Sequence, residues 1–138
     1  MRALIDTNVA LDLLQRREPF VNDAMMLFAL AEEGRIDLRL SSDAISTIFY
    51  LVAKDAGRAS AHKAIELLMD FVTTVPLDDA AILRANASPI DNLEDALVAE
   101  AALQAHVDAL VTRDTRGFAK ADIPVLTPAE AVVLAEAR

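Results

Sequence analysis

Arg2-Ala3-Leu4-Ile5-Asp6 begins as a short apolar run and stops at an acid. Three apolar residues, Ala3 to Ile5, followed at once by helical spacing, read as the core of a buried strand feeding directly into a helix. Outward from it, Thr7–Arg16 places Val9, Leu13 and Leu14 on one face and is closed by Arg17-Glu18-Pro19. Phe20–Glu33 carries Met25, Leu27, Phe28 and Ala31 at helical spacing and ends at Gly34. Ile36–Leu40 reads as a second strand, with Ser41 or Ser42 capping a helix that runs to Ala56. A helix over Ala59–Asp70 precedes a β-branched strand, Phe71–Val75, stopped by Pro76. Asp78 caps a short helix to Ala85, and Asp91-Asn92-Leu93-Glu94 has the spacing of a capping box opening a helix to about Ala105. Ala109–Thr112 and Pro124–Leu126 are the last strands. Thr127-Pro128-Ala129-Glu130 is a capping box with proline at the first helical position.

Short apolar strands alternating with helices imply a parallel sheet covered on both faces. The fold class expected is α/β, with all of residues 1–138 in one domain and no repeat or linker dividing it.

Composition narrows the function. The chain has 138 residues, 13 Lys and Arg against 22 Asp and Glu, a net charge of −9 and no cysteine. Disulfides, thiolate metal sites and cysteine nucleophiles are excluded. The longest apolar run, Ala24–Ala31, has eight residues, against roughly 18 for a spanning helix. No leader pattern follows Met1. A soluble, cytoplasmic protein with no membrane association is expected. The acidic balance argues against passive binding of nucleic acid through a basic patch, but not against reaching phosphates through bound cations.

In open parallel sheets, function gathers beyond the carboxyl ends of the strands. Asp6 ends the first strand, Asp114 follows the fourth, and Asp95 lies in the first turn of the preceding helix. Each alone reads equally well as a cap or a dipole complement. All three at one end of a sheet form a group of converging carboxylates, stable together mainly around a cation. Hard oxygen ligands without Cys or paired His favour Mg²⁺ or Mn²⁺. Asp91, four residues before Asp95, shares its helical face and reads as an N-cap first and a metal contact second. Arg113, Arg116 and Lys120 cluster around Asp114, where a polyanion would approach. His62 and His106 lack an acidic partner at triad spacing, and no phosphate-cradling glycine loop exists. The Met25-Met26 and Phe49-Tyr50 pairs read as core.

These residues resemble the PIN domains, most closely the VapC-like toxin nucleases. The resemblance is carried in order by Leu4-Ile5-Asp6-Thr7-Asn8, Glu94-Asp95-Ala96-Leu97, Val111-Thr112-Arg113-Asp114 with Phe118, and Pro124-Val125-Leu126-Thr127-Pro128 with Glu130. It implies a three-layer α/β/α sandwich with a mostly parallel five-stranded sheet. It also implies a Mg²⁺- or Mn²⁺-dependent ribonuclease, a homodimer, and often a small antitoxin partner. Asp6, Asp95 and Asp114 match the family's first, third and fourth acids, and Asn8 and Thr112 its supporting polar positions. Thr47 falls where a second acid, usually Glu, is expected, as in a subgroup that carries an acid like Asp91. The resemblance therefore implies Asp6, Asp95 and Asp114 as catalytic and metal-binding, Asp91 as an additional metal contact, and Arg113 and Arg116 toward RNA. The rival readings are a PIN scaffold kept as a binding module, or a phosphoryl-transfer α/β domain. The second is weakened by Asn8, which stands where a haloacid-dehalogenase-like phosphatase would need an acid.

Overall fold

The computed structural model describes all 138 residues. Five strands form one sheet: β1 (Arg2–Ile5), β2 (Asp37–Ser41), β3 (Val72–Val75), β4 (Ala109–Val111) and β5 (Val125–Leu126). Their order is β3-β2-β1-β4-β5, and every neighbouring pair is parallel. The sheet is thus fully rather than mostly parallel. Seven helices cover it: α1 (Thr7–Leu14), α2 (Val21–Glu32), α3 (Ala44–Ala56), α4 (Arg58–Met69), α5 (Asp79–Ala87), α6 (Leu93–Gln104) and α7 (Pro128–Glu136).

Strand alternation divides the sheet's side chains between two cores. Ala3, Ile5, Leu38, Leu40 and Val111 point to the face packed by α1–α4 and α7. Leu4, Leu110 and Val75 point to the opposite face, which α6 covers with Ala96, Val98, Ala99, Ala101 and Ala102 and α5 with Ala85. Alanines at those positions let α6 lie close against the strands. Burying both faces is what makes these strands read as continuous apolar runs rather than alternating ones.

The element boundaries follow local chemistry. α1 stops at Leu14 because Arg16 turns into the left-handed region at φ 50°. Gly34, at φ 74°, ends the α2 segment as its sequence implied. Asp78 accepts a hydrogen bond from the Ala81 amide at 2.9 Å, and Thr127 and Glu130 form the reciprocal capping box that opens α7. Three expectations are corrected. The cap of α3 is Asp43, not Ser41 or Ser42, and its side chain is taken by the Ser41 hydroxyl instead of a helix amide. The cap of α6 is Asn92, whose side-chain oxygen accepts from the Asp95 amide at 3.0 Å, so Asp91 lies one residue outside the helix and Glu94 closes no capping box. Asn and Asp are equally good caps, and here the later of two adjacent candidates is used. The Met25-Met26 pair is also not core: the two residues are 54% and 49% exposed, and Tyr50 is 63% exposed. Helical spacing marks a face, but not whether another element covers it.

Candidate metal centre at the switch point of the sheet

From β1 the chain winds outward through β2 to β3, then returns to the other side of β1 as β4 and continues to β5. Between β1 and β4 the winding reverses, and at such a point the loops leaving the two strands part to open a crevice beyond their carboxyl ends. Ile5 pairs with Val111, so Asp6 and Thr112 emerge side by side. The Asp6 amide donates to the Val111 carbonyl at 2.9 Å. The Thr112 hydroxyl then donates to Asp6 Oδ2 at 2.8 Å and accepts from the Asp114 amide at 3.0 Å. One fully buried hydroxyl thereby ties the acid of one strand to the acid following the other.

Asp6 caps α1 through Oδ1, which accepts from the Thr7 amide at 2.8 Å, while Oδ2 stays with Thr112. Asn8 reaches both at 3.4 Å through its amide nitrogen, and its oxygen accepts from the Arg113 amide at 3.4 Å. Asp114 caps the 3₁₀ turn Thr115–Phe118 by accepting from the Gly117 amide at 3.2 Å. Asp95, at the third position of α6, faces the same turn. A methyl group placed on Gly117 would sit 2.7 Å from Asp114 Oδ2 and 3.0 Å from Asp95 Oδ2. Those two carboxylates therefore flank a space that only glycine leaves open.

Mutual repulsion is visible in the acidities. Burial, and after it the charges of Asp6, Asp114 and Glu94, push the Asp95 carboxyl up to about 6. Burial also raises Asp6, with the Asp114 charge adding to it and the bonds from Thr112 and Thr7 opposing. No three acidic or imidazole side chains yet surround a common point at ligating distance. The donor set nonetheless fits a hard divalent cation. It consists of carboxylates alone, two of them with pKa raised by burial and neighbouring charge, facing a space free of any side chain.

Asp91 is exposed and shares with Asn92, Asp95, Arg116, Gly117 and Lys120 a cleft of about 210 Å³. Two acids and two cations thus meet beside the carboxylate cluster. Thr47 is half-buried on α3, in no hydrogen bond to the cluster. Arg113, expected toward RNA, is turned inward instead. Its guanidinium grips Asp12 on α1 through two bonds, at 2.6 and 3.1 Å, and lies 3.9 Å above the Phe20 ring. Asp12 was not foreseen. Its signal was there to read, as a lone acid inside the apolar run Val9-Ala10-Leu11-Asp12-Leu13-Leu14.

The family profile described as PIN domain matches residues 2–116. No curated protein matches the sequence. Among solved structures, the DNA-bound VapBC of Salmonella typhimurium superposes with a TM-score of 0.70 at 15% identity, covering 93% of this chain and 98% of that one. VapBC-1 of nontypeable Haemophilus influenzae follows at 0.67 and 20% identity, over 93% and 98%. VapBC2 of Rickettsia felis, bound to a DNA fragment from the promoter of its own genes, matches at 0.67 and 16%, over 91% and 97%. At these identities the likeness is one of fold.

Proposed function

Since this chain belongs to the PIN-domain family, we propose that it is a Mg²⁺- or Mn²⁺-dependent endoribonuclease, the toxin of a toxin–antitoxin pair. The observation that carries this reading is the meeting of Asp6, Asp95 and Asp114 at the switch point of the sheet. Their carboxylates would hold the cation, with Asp91 as the further acid nearest to it. A divalent ion bound there supplies an acidified water and offsets charge on the scissile phosphate. No side-chain nucleophile is then required.

The chain's own residues supply the rest. Thr112 and Asn8 aim Asp6 by donating to it, and the bond from Thr112 opposes the upward push of burial on its pKa. The Gly117 amide orients Asp114. Arg116 and Lys120, exposed on the wall of the 210 Å³ cleft beside Asp95, meet the RNA backbone, contributing affinity without base choice. The antitoxin partner is proposed because the matched structures are VapBC assemblies. A homodimer and a cytoplasmic location follow from the same family reading. No helix of the chain is long and apolar enough to cross a membrane.

A labelled-RNA assay with Mg²⁺, Mn²⁺ or EDTA tests the reading. Cleavage should require the metal and fall at least about 100-fold in Asp6→Asn, which keeps an oxygen to cap α1. Thr47, a neutral residue in the expected position of an acid, favours a second reading, a PIN scaffold that binds RNA without cutting it. Metal-independent RNA binding by pure protein that never cleaves would select that reading.

A further inference from the structure

Asp12 is the only charged side chain buried as deeply as 1% exposure, and it touches none of the three clustered acids. Removing a carboxylate from water costs several kcal/mol unless a partner repays it. Here the partner is Arg113, joined by a bidentate pair and backed by Phe20. Arg113 stands between Thr112, which bonds Asp6, and Asp114, which faces Asp95 across Gly117. Its backbone amide is also held, by Asn8.

We infer that Asp12 is a positioning residue: by fixing Arg113 against α1 and Phe20, it sets the backbone of residues 112–114 so that Asp114 faces Asp95 and Asp6. The Thr112 hydroxyl anchors this segment from the β1 side, and the ion pair anchors it from the α1 side. Without the ion pair, only the Thr112 hydroxyl and the long 3.4 Å bond to Asn8 hold the segment, which can then pivot about Thr112 and carry Asp114 away from Gly117. A guanidinium fork fixes direction as well as distance, as a lysine ammonium does not. Arg113 therefore serves the geometry of the cluster rather than the RNA backbone. The inference rests on the proposed reading of that cluster as the reactive centre.

The test replaces both charges together, with Asp12→Leu/Arg113→Met, because deleting one would strand the other in the interior, whereas an apolar pair of similar volume preserves stability. Metal-free hydrogen exchange is read at the Asp114 and Gly117 amides, which donate to Thr112 and to the Asp114 carboxylate. Mn²⁺ affinity is read by calorimetry. The expected result is a near-native melting temperature, at least about ten-fold faster exchange at both amides, and about ten-fold weaker Mn²⁺ binding. In Arg113→Lys, a milder variant in case the double one does not fold, both effects should persist in smaller degree, with kcat lowered and KM for RNA unchanged. Native exchange at both amides overturns the inference, as does a KM increase in Arg113→Lys without any change in exchange. Should wild-type protein bind no Mn²⁺, the proposed function fails while exchange still decides the role of Asp12.

Discussion

Gly117→Ala adds one methyl group where the structure has least room for it. The new carbon would lie 2.7 Å from Asp114 Oδ2, 3.3 Å from that carboxyl carbon and 3.0 Å from Asp95 Oδ2, where ordinary contact begins at 3.4 Å. Asp114 must retreat by about 0.7 Å and Asp95 by about 0.4 Å to restore contact distance. The backbone itself adds no strain, since Gly117 does not use the left-handed region. Alanine there is free of backbone strain and gains roughly 0.4–1 kcal/mol by restricting the unfolded chain. The metal-free protein should therefore melt no lower than wild type. The cost would fall on the proposed cation, whose space between Asp95 and Asp114 the methyl group would occupy. At a Mn²⁺ concentration 100 times the wild-type Kd, binding stabilises the native state by about 2.7 kcal/mol, a rise of about 8 °C for a chain of this length. A ten-fold weaker Kd in the variant removes about 1.3 kcal/mol of this at the same concentration, or about 4 °C. Thermal melts with and without Mn²⁺ measure both quantities. An alanine variant with the full wild-type shift would refute a cation lying between Asp95 and Asp114.

The Asp95 carboxyl, raised to about 6 from an ordinary 3.8, binds its proton more tightly in the folded state, so metal-free stability should fall as pH rises from about 4 through 6. Discounted for solvent exposure, the loss is about 1 kcal/mol at neutral pH, and Asp95→Asn should recover it in pH-dependent melts without metal. Asp91→Ala, which removes no cap, should leave stability within about 0.5 kcal/mol and weaken Mn²⁺ binding several-fold by calorimetry; unchanged affinity would make Asp91 a bystander. Thr47→Glu should tighten Mn²⁺ binding, and no tightening would place residue 47 away from the cluster. Arg116→Gln should raise KM for RNA with kcat retained and flatten its salt dependence by roughly 0.7 in log–log slope, a change read from KM across a salt series.

Most of the architecture was legible because the strands are short and apolar on both faces, and the caps at Asp78 and Thr127 mark helix starts chemically. The placement of Asp6, Asp95 and Asp114 at one end of the sheet was legible because each follows a strand end or opens a helix. The strand order was not. Nothing local to Arg2–Ile5 says that its neighbours are β2 and β4, since pairing is decided by which crossovers bury both faces. The start of α6 was misplaced because Asp91 and Asn92 offer equivalent capping chemistry one residue apart. The inward turn of Arg113 was invisible for a different reason: its partner lies 101 residues away, and a cation beside a reactive acid looks the same in sequence whether it faces a ligand or the interior.

The adjacency of β1 and β4 also sets an order of events during synthesis. Asp6 leaves the ribosome early, but the hydroxyl that aims it is 106 residues downstream. A domain folds as a unit, so β1, β2 and the helices between them carry an acid that has no companions until the rest of the chain is made. Asp95 arrives with α6 and Asp114 only with β4, whose docking on β1 must close a loop spanning most of the chain. A truncated or half-made polypeptide carries the first acid and none of the arrangement. Assembly of the carboxylate cluster is thereby gated by completion of the fold.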